Sequence, residues 1–289
     1  MARILFFFFF IPSILFSMNE KVLSPIPSNL NGILNKSVTQ WRDSRFELYS
    51  WDKSQKVLIF DTINYDFQAS IFKRLAFFVE KKDRVGNIYS LSEIEDERGW
   101  NGHDYEAYDL ARFFNKINQD KHEMTQGETL LLKVILENGI IKKTRLGYSS
   151  VGGAVLSCSR ESPYNQRRTI LWHEAYHGLY FTSKEFRSFT KDVWNSMDYQ
   201  SRTIWKMYLD VLDYNNSDND LAMNEFMAYM LQGTKDETYY YLNEIVWFRL
   251  WEKFPDKRDQ INRFFNQSPT PYKKQIDNLN SYIEKLRIE

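Results

Sequence analysis

From Thr169 to Ser183 the chain carries one formal charge, Glu174, inside a run that is otherwise largely apolar and aromatic: Ile170, Leu171, Trp172, Ala175, Tyr176, Leu179, Tyr180 and Phe181. A helix that is apolar on every side has no face to give to water, so other elements must wrap it. That requirement limits the architecture more than any other stretch of the sequence. It calls for packed layers around one central helix, which a chain of 289 residues can supply as one or two domains. It also singles out Glu174, because a carboxylate buried without a partner is costly. The same oddity recurs downstream. Between Asp220 and Lys235, Glu225 is the only charged residue, inside the apolar run Leu221 to Leu231.

His173 and His177 stand four apart around Glu174. On a helix, residues at i and i+4 lie one above the other on one face, so both imidazoles can reach one metal ion. Together the three residues form H-E-x-x-H, the spacing in which two His bind zinc and the Glu is the general base. A catalytic zinc takes three protein ligands and keeps one position open. His103 and His122 are the other histidines. Glu225 is the better third ligand, because it too is a solitary acid in an apolar helix. With Asn219 or Asp220 as the cap, it falls in the first or second turn.

His173-Glu174-Ala175-Tyr176-His177 followed by Asn224-Glu225-Phe226-Met227-Ala228 resembles the gluzincin branch of the zinc metallopeptidases. The resemblance covers roughly residues 140 to 235. It implies a zincin-like fold, Zn2+ held by His173, His177 and Glu225, Glu174 as base, and a peptide or protein as substrate. It further implies that an edge strand before the active helix holds extended substrate. The candidate is a hairpin at about 140–159, and an ordinary structural hairpin is an equally good reading of those residues. For the developing oxyanion, a neutral phenol or imidazole can donate. Tyr229, Tyr180, Tyr214 and His103 are the candidates, with Tyr229 and His103 preferred.

The rest of the chain is expected to be α+β, with helix dominant. Residues 56–62 read as a buried strand and 66–81 as a helix. A glycine-punctuated loop, 99–104, leads into a helix over 104–117. Thr125 and Glu128 have capping-box spacing before an apolar run that stops at Asn138-Gly139. Two strand-like segments, 140–149 and 154–159, flank Gly152-Gly153, which has turn chemistry. Helices are expected over 166–182, 184–213, 220–232, 236–254 and 274–287. The implied domains are a smaller α/β region, 41–124, and a mainly helical zincin-like domain, 125–289.

Lys plus Arg equals Asp plus Glu, 38 each, with no long basic run, which argues against nucleic-acid binding. The single cysteine, Cys158, excludes an intrachain disulfide and reads as a buried structural thiol. Arg3 and the apolar run Ile4–Phe16 match a signal peptide over 1–17, too short to span a bilayer, and 18–40 reads as a linker. The product would be periplasmic or secreted, with an uncleaved N-terminal anchor as the competing reading. Two other functions fit the same residues. One is an envelope binding protein with a structural zinc on a zincin scaffold, and the other is a zinc hydrolase of a non-peptide amide.

Overall fold

The computed structural model describes residues 23–97, 101–267 and 270–286. The expected signal segment, 1–17, lies outside them, as do residues 99 and 100 of the glycine-punctuated loop. At the centre is a five-stranded mixed sheet. Its strands are β1 (Ile26–Ser28), β2 (Phe46–Trp51), β3 (Ser54–Thr62), β4 (Gly102–Glu106) and β7 (Ala154–Ser159), in the order β1-β2-β3-β7-β4. β1 runs parallel to β2 and β3 parallel to β7, whereas β2 with β3 and β4 with β7 are antiparallel.

Side-chain alternation splits the core between the two faces of the sheet. Leu58, Phe60 and Val155 face helices α2 (Tyr65–Val79), α3 (Ala107–Asp120) and α4 (Gln126–Glu137). Val57, Ile59, Leu156 and Cys158 face the helical C-terminal half. Both faces are covered, which is why β3 and β7 read as near-continuous apolar runs. The C-terminal half comprises α5 (Tyr164–Thr182), α6 (Lys184–Asn195), α7 (Tyr199–Val211), α8 (Asn219–Leu231), α9 (Lys235–Tyr240), α10 (Trp247–Lys253), α11 (Arg258–Phe265) and α12 (Lys273–Leu286). α5 lies directly on the sheet. A Cβ on Gly178 would come within 2.9 Å of Val57 Cγ1, so this glycine, next to His177, lets the helix approach closely.

The α+β class and the dominance of helix hold. The Thr125/Glu128 capping box opens α4 as expected, and Gly139 ends it at φ +65°. Cys158 is fully buried, and burial pushes its thiol up to about 12.

Several expectations change. Residues 26–40 are not a linker. They form β1, the short helix α1 (Leu30–Asn35) and a 3-10 turn (Val38–Gln40), with Asn29 capping α1 and Leu30, Ile33 and Leu34 buried. Nor does a boundary at 124/125 divide the fold, because the one sheet takes β1–β4 from before it and β7 from after it. The hairpin at 140–159 is really two pieces. β5 (Ile141–Thr144) and β6 (Gly147–Ser150) pair with each other, turning at Arg145-Leu146. Gly152 and Gly153, at φ +127° and +118°, then redirect the chain into β7, which is interior to the main sheet. The edge strand beside α5 is therefore β4, and residues 104–106 extend it instead of starting a helix. The stretch 184–213 breaks at Asp198, whose carboxylate caps α7 by accepting from Ser201 N. The stretch 236–254 contains a π-helical segment, Tyr241–Val246, and α11 was not anticipated.

Candidate metal centre

α5 and α8 cross so that their solitary acids and the two imidazoles meet. His173 Nε2 and His177 Nε2 are 3.0 Å apart. Glu225 Oε2 is 3.6 Å from His173 Nε2, and Oε1 is 3.8 Å from His177 Nε2. The ligating atoms of these three residues all lie within 4.8 Å of one another. Two donors each about 2.0–2.1 Å from a tetrahedral zinc sit roughly 3.3 Å apart, so the spacing suits one small cation.

The electrostatics suit a cation too. Burial pushes both imidazoles down to about 4 and outweighs the opposing charge of Glu225 at His177, so each ring is neutral near pH 7. A neutral imidazole with a free lone pair is the ligating form. Burial pushes Glu225 up, against the pull of His177 and a hydrogen bond with Tyr214. Its Oε2 is buried with no hydrogen-bond partner among the described residues, as is Oε2 of Glu174. Two orphaned, buried carboxylate oxygens beside two neutral imidazoles form a donor set that a divalent cation would satisfy.

Glu174 sits beside the cluster on the flank of α5. Burial raises its pKa well above the usual carboxylate range, and the charge of Glu225 adds to this. A hydrogen bond with Asp104 acts the other way. Asp104 is one residue that the sequence reading did not single out. It sits on the face of β4 turned to α5, with Oδ2 3.7 Å from His177 Nδ1. Gly102 is the other neighbour on that face. A Cβ there would fall 2.1 Å from Glu174 Oε1. Glu80 was missed as well; burial, then the charges of Glu225 and Glu174, raises its pKa. The alternation in Gly102-His103-Asp104-Tyr105-Glu106, read as a strand, would have placed Asp104 with Gly102.

The four oxyanion candidates separate. Tyr214 reaches Glu225 through its hydrogen bond. Tyr229 packs its ring edge-on against His173 at 4.6 Å and stacks on Tyr241 at 5.6 Å. Tyr180 is turned away, donating to Asp220 Oδ1 at 2.9 Å. His103 lies on the opposite face of the sheet, stacked on Phe72 at 5.2 Å and bonded through Nδ1 to Tyr105 Oη at 2.9 Å. A strand sends successive side chains to opposite faces, so His103 is kept from the site by its neighbour Asp104 facing it. A cleft of about 710 Å³ opens elsewhere, between α6, α7 and α8, and is lined by Trp194, Arg202, Lys206 and Met223 among others.

No family model, no curated protein and no solved structure matches this chain.

Proposed function

We propose that the chain is a zinc metallopeptidase of gluzincin type, with His173, His177 and Glu225 as ligands and Glu174 as general base. The observation that carries this reading is the convergence of the two Nε2 atoms and the Glu225 carboxylate, with the Glu174 carboxylate buried alongside. A zinc ion bound there would act as a Lewis acid and lower the pKa of a coordinated water to about 7.

The chain's own residues supply the rest. Glu174, unpartnered at Oε2 among the described residues, takes a proton from the attacking water and passes it to the leaving amine. Asp104 holds Glu174 by a hydrogen bond and faces Nδ1 of His177. Burial of the whole group keeps competing water away and strengthens each electrostatic interaction inside it. The substrate is a peptide or protein. It adds in extended form along β4, which among the described strands pairs with β7 on one side only. No helix among the described residues is long and apolar enough to cross a membrane. Export rests on the N-terminal apolar run alone.

Metal analysis of the purified protein is expected to find about one zinc per chain, as a single three-ligand site requires. Absence of zinc at saturating supply would end the metal reading. A peptide-library digest comparing wild type with Glu174→Gln then tests the chemistry. The variant is expected to keep zinc and lose hydrolysis. Zinc without turnover in wild type would favour a binding protein, and turnover confined to small amides would favour a non-peptide hydrolase.

A further inference from the structure

A metal-binding imidazole has two nitrogens, and the partner of the remote one decides which tautomer the ring adopts. For His173 the remote nitrogen is Nδ1, and Gln232 Oε1 lies 3.2 Å from it. We propose that Gln232 is a positioning residue for His173: its side-chain carbonyl accepts the Nδ1 proton and leaves Nε2 unprotonated and aimed at Glu225. This rests on the zinc reading of the site. It goes beyond that reading by assigning a role to a residue that binds no metal.

One face of α8 grips the ring on three sides. Glu225, Tyr229 and Gln232 stand at i, i+4 and i+7, on one side of the helix. Glu225 meets Nε2, Tyr229 packs its ring edge-on against the imidazole, and Gln232 meets Nδ1. The orientation of the amide follows from the ligand role. If the Gln232 amino group faced Nδ1, that nitrogen would be the acceptor and the proton would sit on Nε2, which blocks ligation there.

The backbone at Gln232 is fixed from both directions. Gln232 closes α8, and after Gly233 the next residue, Thr234, opens α9 with a capping box to Glu237. Glu237 in turn accepts from Arg168 of α5 at 2.6 Å. The segment just after Gln232 is thus linked to the helix that carries His173. Gln232 is 8% exposed, so its carbonyl has little water to turn to.

The test is zinc affinity of the full chain, measured by chelator competition, with the melting temperature of metal-free protein as the control for folding. Gln232→Leu removes the acceptor at similar volume and is expected to weaken zinc binding about 10- to 100-fold, the usual effect of losing such a partner. Gln232→Glu restores an acceptor and is expected to stay within about threefold of wild type, because a carboxylate is an equally good partner for Nδ1–H. Wild-type affinity in Gln232→Leu would overturn the proposal. So would equal weakening in both variants, which would mean that only packing matters there. If Gln232→Leu fails to fold, NMR of zinc-loaded wild type decides. A His173 Nδ1 proton protected from exchange supports the hydrogen bond, and a freely exchanging one overturns it. Wild type that binds no zinc would sink the parent reading separately, before any variant is compared.

Discussion

At the residue scale the site depends on a missing side chain as much as on those present. Gly102 does not have a positive φ, so the strand would accept another residue there. The space would not. A Cβ would sit 2.1 Å from Glu174 Oε1 and 2.6 Å from Ile170 Cγ2. The carboxylate is the movable end of that contact, so Gly102→Ala is expected to push Glu174 aside and leave the fold intact. Overpacking of this kind costs about 1–3 kcal/mol. A displacement near 1 Å of a catalytic group can cost roughly 100-fold in rate. If Glu174 is the base of a zinc hydrolase, as proposed, the expected result is zinc retained at one per chain with hydrolysis reduced about 100-fold. Zinc stoichiometry and steady-state rates on the same preparation check it, and undiminished turnover would show that Glu174 does not need its present position.

The element scale explains how α5 comes to present His173 and Glu174 at all. Its first turn is locked to the sheet by two arginines that meet the buried Asp61. Asp61, at the end of β3, accepts from Arg160 Nε at 2.9 Å and from Arg167 Nη2 at 2.8 Å. The two arginines also donate to the backbone oxygens of Ile33 and Leu34, which binds α1 into the same knot. Asp61→Ala leaves the buried Arg167 guanidinium without its carboxylate, and breaking a buried pair in this way costs about 3–5 kcal/mol. Urea unfolding is the check; a loss below about 1 kcal/mol would mean that the arginines find water or other acceptors. The knot was not legible in the sequence, because Asp61 lies 99 and 106 residues before its two arginines and nothing local pairs them. The motif helix was legible, since its spacing and its lone acid are local. Glu225 stood out for the same reason. Asp104 did not: the glycines around it suggested a loop, and only pairing with β7 makes residues 102–106 a strand. The same tertiary pairing turned the expected hairpin strand 154–159 into the middle of the sheet.

Across the whole molecule, the two-sided sheet decides which groups meet acid first. The layer of α2, α3 and α4 seals His103 against Phe72 and Tyr105, and burial alone pushes its pKa from 6.5 down to about 3. In the unfolded chain the same imidazole protonates near 6.5. Unfolding therefore takes up a proton between those values. His103 contributes stability that is complete above about pH 6.5 and is lost as the pH falls toward 3. Each bound proton in that window corresponds to about 1.4 kcal/mol per pH unit. His103→Phe keeps an aromatic ring against Phe72 and removes the titration. It leaves the Tyr105 hydroxyl without its partner, a penalty of roughly 1–3 kcal/mol that does not vary across this pH range. The variant is therefore expected to be less stable than wild type near pH 7 and to lose stability more slowly between pH 6 and pH 4, by about 1.4 kcal/mol per unit. Urea unfolding at several pH values measures both. Parallel stability curves would show that His103 is open to water and that the layer over it is not sealed.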